Sequence, residues 1–263
     1  MADVTAGEVK ALRDATGAGM MDAKRALVEC DGDAEAASQL LREKGLTKAA
    51  SRSDRQNVEG AVGLVSDGRR AALVHLKCET DFSAKSEGFL ALVDDLTNAV
   101  LSEGISALDG RTSAIDDLRL SIKENIEVGR VALIEAADGN VIDTYLHIQD
   151  GRGVNGVVVE GSGVDQETLH QVALHIAFAK PTHLTREEVS ADLVEAERAA
   201  LLDITKAEGK PEQAWDKIVE GRLTGWFRET VLLEQGLHGD KTSVADTLSG
   251  GSIERFTQAY LGA

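Results

Sequence analysis

The chain has 263 residues, enough for more than one domain, and a formal net charge of −17. That charge argues against broad binding to nucleic acid, which depends on clustered Lys and Arg. No apolar run approaches the ~20 residues that a membrane-spanning helix needs. The polar N-terminus has no secretory signal, so we expect a cytoplasmic protein. Cys30 and Cys78 leave one disulfide open, although a reducing compartment favours two free thiols.

Residues 1–46 have the pattern of three short helices. Thr5 and Glu8 form a capping box, in which each side chain accepts a hydrogen bond from the other residue's backbone N–H. Asp33 is placed to cap the third helix and Gly45 to end it. The second helix follows Gly19 and has apolar side chains at spacings of three and four: Met20, Ala23, Leu27 and Cys30.

Residues 47–57 have little apolar periodicity and are predicted to be a linker. Beyond them, Ala61–Ser66 and Ala71–Cys78 are short β-rich runs that flank an Asp-Gly turn, which is a hairpin signal. Further helices are predicted around Phe89 and at about Ser113–Ile126. Two more strands are predicted, on either side of Asp138-Gly139-Asn140: Arg130–Ala136 and Val141–His147.

The second half of the chain repeats part of the first. Asp67-Gly68-Arg69 recurs as Asp150-Gly151-Arg152, 83 residues later. Asp-Gly turns are common, so coincidence is the alternative, but the hairpin and the helix agree in order and spacing. Two related α+β subdomains would then form the core. At the same offset, these apolar positions correspond: Val74 with Val157, Leu76 with Val159, Phe89 with Val172, and Val93 with Ile176.

Residues 187–226 are predicted to form a helical hairpin that projects as an arm, packing on the core being the alternative. Thr185 and Glu188 can form a second capping box, and Gly209-Lys210-Pro211 interrupts the helix. An extended run is predicted at Thr230–Glu234 and a final strand at Ile253–Leu261. The first arm helix has an apolar seam with spacing close to that of a coiled coil: Val189, Leu193, Ala196, Ala200, Ile204 and Ala207.

The sequence contains none of the common active-site motifs. The sequence has no GxxxxGK[ST] loop, no GxSxG elbow and no HExxH motif. His170 and His175 do not share a helical face, so no metal site is expected. The glycines at 151, 153, 156, 161 and 163 do not form GxGxxG and are interpreted as turn and strand-end residues. We therefore expect neither an enzyme nor a bound cofactor.

One loop stands out between the second strand and the Phe89 helix. Only 3% of the chain is aromatic, yet Phe82 lies in a polar stretch beside Asp81. An aromatic side chain in such a loop is suited to contact a partner protein. The alternative is that Phe82 packs into the local core and Asp81 caps a turn.

Two stretches resemble signatures of the translation elongation factor Ts family. Thr16–Leu27 is similar to the N-terminal signature, and Thr80–Lys85 to the Thr-Asp-Phe-Val-Ala-Lys core signature. The resemblance continues to Val219–Arg222 and so spans nearly the whole chain. It implies an α+β fold with a ubiquitin-associated-like three-helix module, a two-subdomain core with antiparallel sheets, and an inserted coiled-coil hairpin. The implied boundaries are 1–54 for the module, 55–140 and 141–186 for the core, 187–226 for the hairpin, and 227–263 for completion of the core.

The resemblance also implies a function, guanine-nucleotide exchange on the GTPase elongation factor Tu. The helix that carries Met20, Met21 and Lys24 would dock on the GTPase domain. Thr80, Asp81 and Phe82 would enter beside the Mg²⁺ and phosphate site, and His147 would contact another domain of the partner. An adaptor that tethers a partner without altering it is the alternative, and a nucleotide-using enzyme is a more distant one.

Two residues depart from the family pattern. Ser83 replaces the usual Val, and Lys123 stands where the family commonly has Gly. If position 83 faces the partner, Ser83→Val should leave activity unchanged or raise it by restoring an apolar contact. The Lys123 departure implies that its loop differs from that of the family.

Overall fold

The computed structural model describes residues 4–50 and 54–262, and the side chains of all of these except residues 46–50. Three helices come first: α1 (Ala6–Thr16), α2 (Met20–Glu29) and α3 (Ala34–Ala50). The predicted capping box is confirmed, because Thr5 Oγ1 accepts from the Glu8 N–H at 3.3 Å and Glu8 accepts from the Thr5 N–H at 2.8 Å. The helices pack together through Val9, Leu12, Ala23, Ala26, Leu27 and Ala37.

Gly45 does not end the third helix, so that prediction was wrong. Helix α3 continues to Ala50, which also removes residues 47–50 from the predicted linker, while residues 51–53 lie outside the described part of the chain. Gly45 lies where α3 crosses a later helix. A Cβ at this position would be only 2.4 Å from Leu120 Cδ2, so a larger residue here would require the Leu120 side chain to move.

Within the described residues, six strands form two three-stranded antiparallel sheets. The first sheet has the order β1-β2-β3, and the second has the order β4-β5-β6. The α+β fold with antiparallel sheets is thereby confirmed. The strands are β1 (Glu59–Ser66), β2 (Arg70–Cys78), β3 (Glu127–Glu135), β4 (Asn140–Gln149), β5 (Arg152–Ser162) and β6 (Ser252–Tyr260).

Each sheet is covered on one face by helices. The short α4 (Asp81–Ala84) and the long α5 (Glu87–Glu103) follow β2, and α6 (Thr112–Ile122) precedes β3. In the second half, α7 (Gln166–Ala179) follows β5. The apolar pairs that correspond at an offset of 83 residues are all buried in these two helix–sheet cores. The two halves therefore share the order hairpin, helix, third strand, as the predicted duplication requires.

The other faces of the two sheets pack against each other through Val62, Leu73, Val158 and neighbouring apolar residues. The backbones come so close that a Cβ at Gly153 would be 2.1 Å from the Val62 carbonyl oxygen. A Cβ at Gly156 would be 2.8 Å from Val62 Cγ1. Gly153 is the second residue of β5, in agreement with its interpretation as a strand-end residue, whereas Gly156 lies inside the strand and its interpretation was wrong. They permit the close contact between the sheets.

A pair of helices is inserted between α7 and the last strand: α8 (Ala191–Ala207) and α9 (Trp215–Thr230). The predicted capping box at Thr185 was wrong, because Ser190 caps α8 through a bond from the Leu193 N–H at 3.3 Å. The predicted seam was wrong within α8, although Val189, just before the helix, is buried against α9 as predicted. Leu193 and Ile204 are 45% and 50% exposed, whereas the next positions along, Val194 and Thr205, face α9. One residue of offset turns a helical face by about 100°, so the spacing was right and the face was not.

Two other segments differ from the predictions. Helix α6 ends at Ile122, and Ile126 instead lies buried in the connection just before β3. The predicted extended run at Thr230–Glu234 was wrong, because α9 reaches Thr230 and a short 3₁₀ helix follows. A short helix, α10 (Val244–Thr247), then leads to the predicted final strand, β6. No helix in the described part of the chain combines the length and the apolar character needed to cross a bilayer.

Candidate functional site

The site is built on a four-residue helix that follows β2 directly. Thr80 begins α4, because its hydroxyl oxygen accepts from the Ser83 N–H at 3.3 Å and its carbonyl accepts from the Ala84 N–H at 3.2 Å. The chain then turns at Lys85, and Ser86 caps the next helix by accepting from the Phe89 N–H at 3.4 Å. Two caps thus lie within seven residues and the chain turns between them; this turn is the corner, and α4 is its tip.

Phe82 lies on the outside of this corner and is 83% exposed. The local core is filled instead by Phe89, which is fully buried against β2. The alternative in which Phe82 packs into the local core was therefore wrong. A large exposed aromatic side chain loses contact with water only when another molecule covers it.

Asp81 lies beside Phe82 and is also exposed. Its carboxylate does not cap the turn, since Thr80 has that role, but accepts a hydrogen bond from Lys85 Nζ at 2.9 Å. This bond and the positive charge of Lys85 lower the pKa of Asp81, which holds it as an anion at neutral pH. The tip therefore presents a negative charge and an aromatic ring side by side.

Glu124 lies behind the tip, in the connection between α6 and β3. Its Oε2 accepts from the backbone N–H groups of Glu79 and Thr80 at 3.0 and 3.1 Å. Its Oε1 accepts from the hydroxyls of Thr80 and Ser83 at 2.7 and 2.6 Å. Burial acts to raise the pKa of Glu124, but these bonds outweigh it and the pKa is lowered. Glu124 is therefore an ionised acceptor whose two oxygens each receive two donors.

Ser83 points inward, where it is buried beside Glu124. The expectation that Ser83→Val restores a contact with the partner is therefore wrong. A valine here would remove one of the donors to Glu124 and would face the interior. Lys123, the other departure, has the left-handed backbone conformation with φ 63° and ends α6. Glycine adopts this conformation without strain, which accounts for the glycine that the resemblance implies at this position.

The tip is also tied to the second sheet. Lys85 Nζ contacts the Asp150 carboxylate at 3.3 Å, in the turn between β4 and β5. His147 lies three residues before Asp150 and is exposed. Its Nδ1 forms a hydrogen bond with the Tyr145 hydroxyl at 3.1 Å. It lines a cavity of about 390 Å³ together with Arg152, Lys180 and Tyr260, among others. Lys85 thus connects the tip to the hairpin that carries His147.

The third predicted group lies on α2. Met20 and Met21 are 47% and 65% exposed, and Lys24 is also exposed. The same helix turns Ala23 and Leu27 into the three-helix core. Both methionines therefore face outward, where flexible apolar side chains are suited to contact a partner.

Comparison with known proteins places these features in a family. The family model described as Elongation factor TS matches residues 79–262, more than half of the chain. A protein named Elongation factor Ts from Clavibacter michiganensis subsp. michiganensis is 44% identical over 278 aligned positions, with all of both chains covered. The chain belongs to the elongation factor Ts family. Its role is therefore that of an elongation factor in protein synthesis.

Other members of the elongation factor Ts family extend the match. The protein of that name from Cutibacterium acnes is 43% identical, with 98% of this chain and 99% of its own covered. The one from Kineococcus radiotolerans is also 43% identical, with 96% of each covered. The family model begins at Glu79, so it includes the tip and Glu124, while the Clavibacter relative, which covers the whole chain, also aligns with the three N-terminal helices.

Sequence reasoning missed Glu124 and the link between Lys85 and Asp150. No local pattern marks Glu124, because its donors lie 41 to 45 residues earlier in the chain. The pairing of β2 with β3 is the signal that could have found it. Once Lys77 lies opposite Glu127, the residues just beyond Lys77 must meet those just before Glu127.

Proposed function

We propose that the chain is a guanine-nucleotide exchange factor for elongation factor Tu. It binds the GDP-bound GTPase, disturbs the Mg²⁺ and phosphate site, and releases GDP so that GTP can bind. The observation that carries this proposal is the exposure of Phe82 beside the ionised Asp81, on a corner held by hydrogen bonds from behind. Membership in the elongation factor Ts family supports the choice of partner.

Thr80, Asp81 and Phe82 would form the exchange wedge, a name used here for these three residues. Covering an exposed Phe in a pocket of the partner is worth about 1.5–3 kcal/mol. The corner is ordered before binding, so little of this free energy is spent on fixing its shape. The Asp81 carboxylate would enter beside the phosphates and the ion that bridges them. Its negative charge repels the negatively charged phosphates, which favours the nucleotide-free partner.

Exchange requires no covalent step in this chain. The factor by which the chain weakens GDP binding equals the factor by which GDP weakens binding of the chain. The wedge must therefore contact the nucleotide-free GTPase better than the GDP-bound form. No cofactor or metal is needed for such a role.

The remaining predicted sites would supply affinity and orientation. Met20, Met21 and Lys24 would dock α2 on the GTPase domain, and His147 would contact another domain of the partner. We propose residues 1–54 as a ubiquitin-associated-like docking module and 187–226 as a coiled-coil hairpin. Residues 55–140 would form one core subdomain, and 141–186 with 227–263 the other. The protein would act in the cytoplasm without binding nucleic acid or membrane.

The exposure of both methionines on α2 also fits an adaptor that tethers a partner. Release of a fluorescent GDP analogue from elongation factor Tu separates the two functions. An exchange factor accelerates release at substoichiometric amounts, whereas an adaptor binds and leaves the rate unchanged. A nucleotide-using enzyme would instead consume nucleotide without elongation factor Tu. Unchanged release at saturating chain concentration would overturn the proposal.

A further inference from the structure

Glu124 holds both ends of the helix that carries the wedge. It accepts from the N–H and the hydroxyl of Thr80, which begins α4, and from the hydroxyl of Ser83, its third helical residue. Asp81 and Phe82 lie between these two attachment points. The direction in which Phe82 leaves the surface is therefore fixed by one carboxylate that does not itself reach the surface tip.

The attachment is reciprocal. Glu124 accepts from the Glu79 N–H, and the Glu79 carboxylate accepts from the Asn125 N–H at 2.7 Å. Glu79 also accepts from Arg55 Nη1 at 3.2 and 3.3 Å, and the Arg55 carbonyl accepts from Asn125 Nδ2 at 3.1 Å. Three separate segments are thus closed into one ring of hydrogen bonds. Linked bonds of this kind hold a loop more rigidly than separate ones.

We propose that Glu124 is a positioning residue for nucleotide exchange, which sets the orientation of the wedge without contacting the partner. This inference rests on the proposed exchange function. Each oxygen of Glu124 already receives two donors within the chain, so its bonding capacity is used internally. Loss of these bonds lets α4 reorient. Phe82 then reaches its pocket less often, although the rest of the binding surface is unchanged.

The chain offers a matched control in Glu160. This buried carboxylate accepts from the Ala137 N–H, Asn140 Nδ2 and Arg255 Nε at 2.8, 2.8 and 2.7 Å. As for Glu124, burial acts to raise the pKa of Glu160, but its hydrogen bonds outweigh burial and the pKa is lowered. Glu160 fastens the start of the second sheet and makes none of its bonds to the wedge. A purely structural loss should therefore be similar in Glu124→Gln and Glu160→Gln.

The test measures release of fluorescent GDP from elongation factor Tu by full-length variants, together with their melting temperatures. Glu124→Gln keeps the volume of the side chain but turns an NH₂ group toward two of the four donors. We expect kcat to fall about tenfold, or ~1.4 kcal/mol, with KM changed by less than about twofold. Ser83→Ala removes one donor and should give a smaller fall. Glu160→Gln should leave kcat unchanged.

A double-mutant cycle with Phe82→Ala gives the second readout. If Glu124 acts through Phe82, then Glu124→Gln should cost less than about twofold in a chain that already lacks the ring. Effects that multiply in the double variant would show two independent roles and overturn the inference. An equal loss of kcat in Glu124→Gln and Glu160→Gln would overturn it as well.

A third readout needs no partner. Cys78 is fully buried, and its Sγ donates to the Thr80 carbonyl at 3.2 Å, so its reactivity reports the order of the loop. In a Cys30→Ser background it is the single thiol of the chain. Glu124→Gln should speed its reaction with a thiol reagent about tenfold, and Glu160→Gln should not. An unchanged rate would overturn the bracing role.

Failure of the proposed function is distinguishable from failure of this inference. If Phe82→Ala alone exchanges GDP normally, the wedge is wrong and no orientation of it matters for exchange. If Phe82→Ala is impaired while Glu124→Gln is not, the wedge stands and the positioning role of Glu124 falls.

Discussion

The clearest prediction is that Phe82→Ala slows nucleotide exchange and leaves the fold intact. The ring is 83% exposed in the free chain, so its truncation should change the free energy of unfolding by less than about 0.5 kcal/mol. In the complex the same ring would be covered, and losing it should cost about 1.5–3 kcal/mol. At 1.4 kcal/mol per decade, GDP release at subsaturating concentrations should slow roughly tenfold to a hundredfold.

The control is the neighbouring aromatic residue, Phe89. It is fully buried between α5 and β2, so Phe89→Ala should destabilise the fold by about 3–5 kcal/mol. Its exchange activity should fall only as folded protein is lost. Thermal melting and GDP release are therefore measured on the same samples of both variants. A folded Phe82→Ala variant with normal GDP release would refute the wedge.

The other predictions concern stability and docking. Lys123→Gly should raise the free energy of unfolding by about 0.5–1 kcal/mol in denaturant titrations, since glycine relieves the strain of a positive φ; a loss would contradict this account. Burial lowers the pKa of His75 to about 4, below its value of ~6.5 in the unfolded chain. The free energy of unfolding should therefore be full above pH ~6.5 and fall between pH ~6.5 and ~4, and His75→Leu should flatten this pH dependence. Removing residues 1–54 should weaken binding to elongation factor Tu while the two sheets still unfold cooperatively; equal affinity would show that α2 does not dock.

The sequence was informative where one element could be identified alone. The hairpin around Asp67-Gly68 and the helix around Phe89 have local signals, because turn residues and apolar spacing are properties of short segments. The exposed position of Phe82 was one of two alternatives that the sequence left open, and the structure decides between them. The hairpin and the helix together locate the tip of the candidate site without knowledge of the tertiary structure.

The rest depends on which faces meet. Glycine is a residue that often ends a helix, and only the tertiary structure shows that Gly45 lies inside α3, where that helix crosses α6. The seam of α8 has two candidate faces one residue apart, and the position of α9 selects between them. Glu124 is an ordinary charged residue until β3 pairs with β2. The spacing of apolar residues predicts that an element has an apolar face, whereas the element that packs on this face depends on the tertiary structure.

The shared order of the two halves has a consequence for how such chains change. In each half, the third strand takes its register from the strand beside it, so the length of the preceding connection does not affect the sheet. The entropic cost of closing a loop also rises only slowly with the length of the loop. Residues 104–126 and 180–251 occupy equivalent places in the two halves, yet the first carries Glu124 near its end and the second contains α8 and α9. These two connections are thus the places where each half can hold additional elements without changing its sheet, and the elements they hold differ between the halves.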